Sequence, residues 1–106
     1  MTDYLPEVDK HFQRRYPAVK EAFDALGAAE HDAGPLGERE RRLIKLGIAA
    51  GVESEGDVRS HVRKLLAVGV TEEEIPHTIV LALTTIGVPA TNPSLSWAEE
   101  VISEEG

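Results

Sequence analysis

The chain has 106 residues, 42% hydrophobic and 28% charged, which is one domain's worth of ordinary globular composition and excludes a disordered or multidomain protein. Eleven Lys and Arg against nineteen Asp and Glu leave a net charge of -8, a balance that argues against general nucleic-acid binding because phosphate contacts need clustered cations. With no cysteine, the chain can form no disulfide, no thiolate metal ligand and no thiol nucleophile.

Residues 1–106 read as a single all-α domain, since apolar residues recur at spacings of three and four and no stretch has the alternation of a strand. The start, MTDYLPEVDK, lacks the basic and apolar regions of a secretory signal, so export by that route is not expected and a cytoplasmic location is. The first helical segment, Glu7 to about Ala28, sets Val8, Phe12, Val19, Phe23 and Leu26 at helical intervals, and Pro17 either kinks it or restarts a second helix. Ala29 to Gly37, with Gly34, Pro35 and Gly37, reads as a loop.

From Glu38 the run GERERRLIKLGIAAG passes from charged to apolar, predicting a helix to Gly51 that buries Leu43, Ile44, Leu46, Ile48 and Ala50. A helix from about Asp57 to Val68 follows, with Val58, Val62, Leu65 and Leu66 as its apolar stripe and Gly69 as its stop. Thr71 and Glu74 form a capping box, with Val70 and Ile75 placed as the hydrophobic staple. The helix they open should run to about Ile86 and is apolar around nearly its whole circumference, which places it centrally in a bundle or within an oligomer. Gly87 and Pro89 close it. Asn92 and Pro93 then read as a cap and first turn for a last helix through Leu95, Trp97, Val101 and Ile102. The longest apolar run, Ile79 to Leu83, is far short of the roughly 20 residues that span a bilayer, so no membrane partner is expected.

The two helices around Gly69 could suggest a DNA-reading helix-turn-helix. The second one, however, opens Glu72-Glu73-Glu74 and holds no Lys or Arg. The histidines, His11, His31, His61 and His77, show no ligand spacing, so no metal is expected. Every Lys and Arg lies at or before Lys64, and the 42 residues after it carry seven acids and no base. Any anion site built from cationic side chains must draw on the first 64 residues.

The candidate chemistry lies between Asp57 and Thr85. His61 follows Asp57 by four residues and Val58 by three, beside the apolar stripe, where a carboxylate one turn back can accept from one ring nitrogen and leave the other to move protons. The same spacing also suits a core-edge histidine held for packing. His77 sits in the next helix with Thr84 at i+7. Arg59 and Arg63 are one turn apart on another face of the His61 helix, and Arg41 and Arg42 stand near the start of the helix before it, as candidate anion anchors.

From about Arg39 to Trp97 the chain resembles the carboxymuconolactone decarboxylase family, which includes the alkylhydroperoxidase D-like proteins. The likeness is carried by RRLIKLGIAAG, then SHVRKLLAVGVTEEEI, then the apolar helix ending TIGVP. The resemblance implies an AhpD-like bundle of about five to six helices, assembled as a homotrimer or homohexamer. The family's peroxidase branch carries two cysteines at the positions of Ser54 and Asp57 and a glutamate at that of Arg42, so thiol peroxidase chemistry is absent here. The decarboxylase branch has an acid, an arginine and H-x-R, matched by Asp57, Arg59, His61 and Arg63.

That branch implies a lyase that uses neither metal nor organic cofactor on a small carboxylated metabolite, by decarboxylation or a related isomerisation. His61 would transfer the proton, oriented by Asp57, with Arg59, Arg63 and Arg42 as carboxylate anchors and His77 lining the pocket. Two alternatives stand beside it. One is an oligomeric ligand-binding member without catalysis, the other a peroxidase-type member that has lost its cysteines.

Overall fold

A computed structural model describes residues 7–105, and every regular element among them is a helix. The chain divides into two compact units, Met1–Pro35 and Leu36–Gly106.

The first unit holds α1, Glu7–Arg15, and α2, Pro17–His31. Pro17 restarts the helix instead of kinking it. Its fixed φ suits a first helical position where no N–H is needed, and Tyr16 before it is extended enough, at φ -129°, to break the run. The Phe12 and Tyr16 rings lie 5.5 Å apart with Arg15 over the Tyr16 ring. Of the expected stripe, Phe12, Val19, Phe23 and Leu26 are all exposed, Phe23 by 67%, and the side chain of Val8 lies outside the described residues. α2 runs three residues past Ala28, because Ala29, Glu30 and His31 contain no breaker before Gly34.

The second unit contains α3, Glu38–Gly51; α4, Glu55–Ala67; α5, Glu74–Val80; α6, Leu83–Ile86; and α7, Val88–Glu105. α3, α4, α5 and α7 enclose a core of Leu46, Ala49, Ala50, Val58, Val62, Leu65, Val70, Ile75, Ile79, Ala98 and Val101, edged by Leu43, Leu66, Leu95, Trp97 and Ile102. α3 keeps its predicted bounds, but its inward face is Leu46, Ala49 and Ala50. Ile44 and Ile48, expected inside, are exposed, the latter by 59%, because they lie one turn apart on the opposite side of the helix.

α3 and α4 end the same way. Ser54 N–H donates to Ala49 O and Glu53 N–H to Ala50 O, and at the end of α4 Val70 N–H donates to Leu65 O and Gly69 N–H to Leu66 O. Both pairs are Schellman closures around a left-handed residue, Gly69 at φ +88° in one and Glu53 at φ +55° in the other. Val70 thereby enters the core beside Leu65.

The capping box forms as its spacing predicts. Thr71 N–H donates to Glu74 Oε1 at 2.9 Å and Glu74 N–H to Thr71 Oγ1 at 3.1 Å, with Val70 and Ile75 both buried. The helix it opens is not continuous to Ile86. At Leu81 and Ala82 the ladder tightens to i→i+3 bonds, Ala82 N–H to Ile79 O and Thr85 N–H to Ala82 O, and α6 is a separate turn. Nor is this helix central within the chain, since Ile75 and Ile79 are buried while Val80, Leu81 and Leu83 are exposed.

α7 starts at Val88, earlier than Asn92, and takes Pro93 inside it. Gly87, at φ +86° and ψ 166°, provides a backbone shape open only to glycine, and Pro89 falls in the first turn where its missing N–H costs nothing. No helix is long and apolar enough to cross a membrane among the described residues.

Candidate functional site

His61 stands at the middle of α4, half-buried, where that helix packs along α3. Its Nδ1 is shut off from solvent and has no hydrogen-bond partner. The imidazole is held below the ordinary histidine range, first by burial and then by the positive charge of Lys64. Asp57 pulls the other way, and Lys45 and Arg42 add to the depression. The ring is therefore neutral at pH 7 and surrounded by more positive than negative charge.

Asp57 does not give His61 the hydrogen bond that the i, i+4 spacing allows. Ser54 is the N-cap residue of α4 and Asp57 its third helical position, and Ser54 Oγ donates to Asp57 Oδ2 at 2.9 Å. A carboxylate in a first turn is favoured there by the unpaired N–H groups and the helix dipole, whatever lies downstream. Asp57 acts on His61 through space, as the one negative charge in the group that bears on it.

Arg59 and Arg63 turn toward α7. Arg59 Nη2 donates to Glu100 Oε1 at 2.7 Å and its Nε to Glu55 Oε2 at 3.0 Å, and Arg63 Nη2 reaches Glu104 Oε1 at 3.4 Å. The two pairs form a ladder, each rung one helical turn from the next, and the Glu100 bond is the main reason the Arg59 guanidinium is held above its usual range. As anion anchors these arginines would have to release α7. Arg42 stays on its own helix, with its Nε and Nη2 on Glu38 Oε2 at 3.2 and 3.1 Å, and adds to the positive charge felt at His61.

His77 is exposed on α5 and is not among the groups acting on His61. The structure thus gathers His61, Asp57 and Arg42 into one neighbourhood, adds Lys45 and Lys64, and sends Arg59 and Arg63 to a different face. Lys45 escapes a reading by spacing because it lies on α3, and only the α3–α4 packing lets its charge bear on His61. The sole local clue is that Lys64 follows His61 by three residues and Lys45 follows Arg42 by three.

Among the described residues, no three His, Cys, Asp or Glu side chains gather closely enough to hold a metal ion. The imidazole can exchange a proton, and the cations whose charge bears on it would attract an anion.

The sequence matches the carboxymuconolactone decarboxylase family over residues 17–100, beginning at α2 and so earlier than the resemblance starting at Arg39. A 4-carboxymuconolactone decarboxylase of Acinetobacter baylyi is 30% identical over 66 residues, which cover 62% of this chain and 49% of that protein, so the match spans about half of the relative's length. No solved structure matches the chain significantly. With an all-helical fold, no cysteine, and a family match over most of its length, the chain belongs to the carboxymuconolactone decarboxylase family.

Proposed function

We propose that the protein is a cofactor-free lyase or isomerase for a small carboxylated metabolite, with His61 as the proton-transfer group. The observation that carries this reading is the half-buried imidazole of His61, its Nδ1 unpartnered, amid the positive charges of Arg42, Lys45 and Lys64. Loss of CO2 from an acid leaves an electron pair that must be delocalised and then protonated at carbon. Cations stabilise the carboxylate and the enolate-like charge that follows, and an imidazole delivers the proton. Asp57 contributes by making that imidazole more basic than the cations alone would leave it. His77, on α5, lines the substrate's approach in this reading, and Arg42 serves as an anchor by sharing its guanidinium with Glu38.

The protein works as a homotrimer or homohexamer in the same proposal. Support comes from the exposed apolar residues of the second unit, Ile44, Ile48, Val52, Val80, Leu81, Leu83 and Val88, which a neighbouring copy would cover. Light scattering tests this, and a stable monomer at micromolar concentration contradicts it.

A second reading, a ligand-binding member without catalysis, is favoured by one observation: Asp57 spends a carboxylate oxygen on Ser54 and leaves His61 Nδ1 without an orienting acceptor. A panel of carboxylated lactones and enol acids, incubated in D2O, separates the two. Catalysis leaves deuterium on carbon of the product, with release of CO2 if the reaction is a decarboxylation and without it if an isomerisation. Thermal stabilisation by a panel member, with neither CO2 release nor deuterium incorporation from any, supports the binding reading.

A further inference from the structure

Among the described side chains of the first unit none is buried, although α2 carries a regular apolar stripe. Tyr16 at its N-cap, then Val19, Phe23 and Leu26, follow one another at intervals of three, four and three residues, which sets them within roughly 80° of one face. They are 47%, 55%, 67% and 64% exposed. A helix of 15 residues is marginal in water without packing, so this face needs a cover.

Its shape and charge fit a second copy of the same helix. Laid antiparallel about a two-fold axis near Glu21, the stripe sets Val19 against the partner's Phe23 and Tyr16 against the partner's Leu26, so that a large ring meets a smaller aliphatic chain in every layer. The charges at its ends are opposite. Arg14 and Arg15 stand just before Tyr16 and Asp32 caps the far end, all exposed, and an antiparallel pair brings the basic end of one copy beside the acidic end of the other. Gly27, one turn after Phe23 on the edge of the stripe, has open space where a Cβ would stand. Glycine weakens a helix interior, and the close approach of a second helix gives it a use here. Phe12, its ring 5.5 Å from that of Tyr16, extends the patch. At about 150–250 Å² for an aromatic side chain, these five residues expose roughly 500 Å², so two copies cover roughly 1,000 Å², the area at which a specific interface begins.

We propose that α2 pairs antiparallel with α2 of a second copy of this chain through Tyr16, Val19, Phe23 and Leu26. Such an interface is isologous, so every chain uses the same face and the assembly holds an even number of copies. Where this rests on the oligomer proposed above, it selects the hexamer: the second unit joins three copies, and α2 joins two trimers.

The test is the mass of the full chain by sedimentation from nanomolar to micromolar concentration, with circular dichroism alongside. The wild type should hold an even number of copies. Phe23→Glu, at a side chain exposed in the protomer, should halve the mass and keep the helicity. Because that substitution bears on the folding of the first unit as well, the charged ends are exchanged too. Arg14→Asp and Asp32→Arg should each weaken the pairing roughly tenfold at low salt, since each replaces two attractions across the pair by repulsions, and the double variant should restore it. Within one chain the two residues stand at opposite ends of α2, roughly 22 Å apart for 15 residues at a rise of 1.5 Å, so restoration requires a second copy.

An odd number of copies in the wild type, a mass indifferent to Phe23→Glu, or a double variant no better than the single ones each overturns the proposal. If Phe23→Glu loses helicity and mass together, the exchange of charges decides. A wild-type dimer leaves the pairing standing and removes the trimer contact of the second unit. A trimer whose turnover depends on His61 removes the pairing and leaves the catalytic reading standing.

Discussion

Ser54 Oγ donates to Asp57 Oδ2 at 2.9 Å, so the carboxylate that spacing assigns to His61 is spent closing the first turn of its own helix. Asp57 therefore has two separable effects. Ser54→Ala should cost at most about 1 kcal/mol of stability, because its hydroxyl caps no backbone N–H and only the exposed bond to Asp57 is lost. Asp57→Asn should additionally lower the His61 titration midpoint, because it removes the one charge that favours the protonated ring. NMR titration of both variants checks this. If Asp57→Asn leaves His61 unmoved, the carboxylate serves the helix alone.

Stability should respond to pH in two windows. His61 titrates lower in the folded chain than in the unfolded one, mainly through burial and Lys64. As pH falls below roughly 6.5 the unfolded chain takes up this proton first and stability declines, while above that pH the group contributes nothing. Glu74 is also held below its ordinary range, first by the Thr71 N–H and then by Arg39. Its contribution is present above the ordinary carboxylate range and is lost as pH falls through the lowered folded value. Urea midpoints measured across pH should therefore flatten near pH 6 in His61→Gln and only at strongly acidic pH in Glu74→Gln.

The matched ends of α3 and α4 make a paired prediction. Glu53 holds a left-handed position that Gly69 holds in its counterpart. Glu53→Gly should stabilise by up to about 1 kcal/mol and Gly69→Ala should destabilise by a similar amount, since a Cβ disfavours this backbone region. Opposite shifts in the thermal midpoint confirm it; shifts of the same sign do not.

Thr91 and Ser94 on α7 are 1% and 0% exposed, and neither hydroxyl has a hydrogen-bond partner. Burying an unsatisfied hydroxyl costs about 1–3 kcal/mol by mutational measures, so Thr91→Val and Ser94→Ala should be neutral or stabilising. Clear destabilisation by either, seen in urea unfolding, would mean that the hydroxyl is bonded in solution.

Much of the second unit was legible because its signals are local. The charged-to-apolar run set both ends of α3, and the spacing of Thr71 and Glu74 carried a capping box that forms bond for bond. What depended on tertiary contact was not legible. Ile44 and Ile48 are as apolar as Leu46, and only packing decides which side of α3 faces α4, α5 and α7. Pro93 suits a first helical turn, yet the glycine at 87 lets α7 begin sooner and carry the proline within it.

The candidate site divides in the same way. His61, Asp57 and Arg42 were visible from their spacings. The turning of Arg59 and Arg63 toward Glu100 and Glu104, some forty residues away, was not. Neither was the contribution of Lys45 from α3. Spacing names the residues that share a face, and it is silent on which face meets another helix.

The central claim is that His61 moves the proton, and the turnover of His61→Gln beside the wild type tests it most directly, on whichever carboxylated lactone or enol acid the wild type converts. Glutamine keeps the size and polarity of the side chain but cannot exchange a proton near neutral pH. Loss of CO2 release to the background rate, with helicity and oligomeric mass unchanged, is the predicted result. Turnover at the wild-type rate would contradict it.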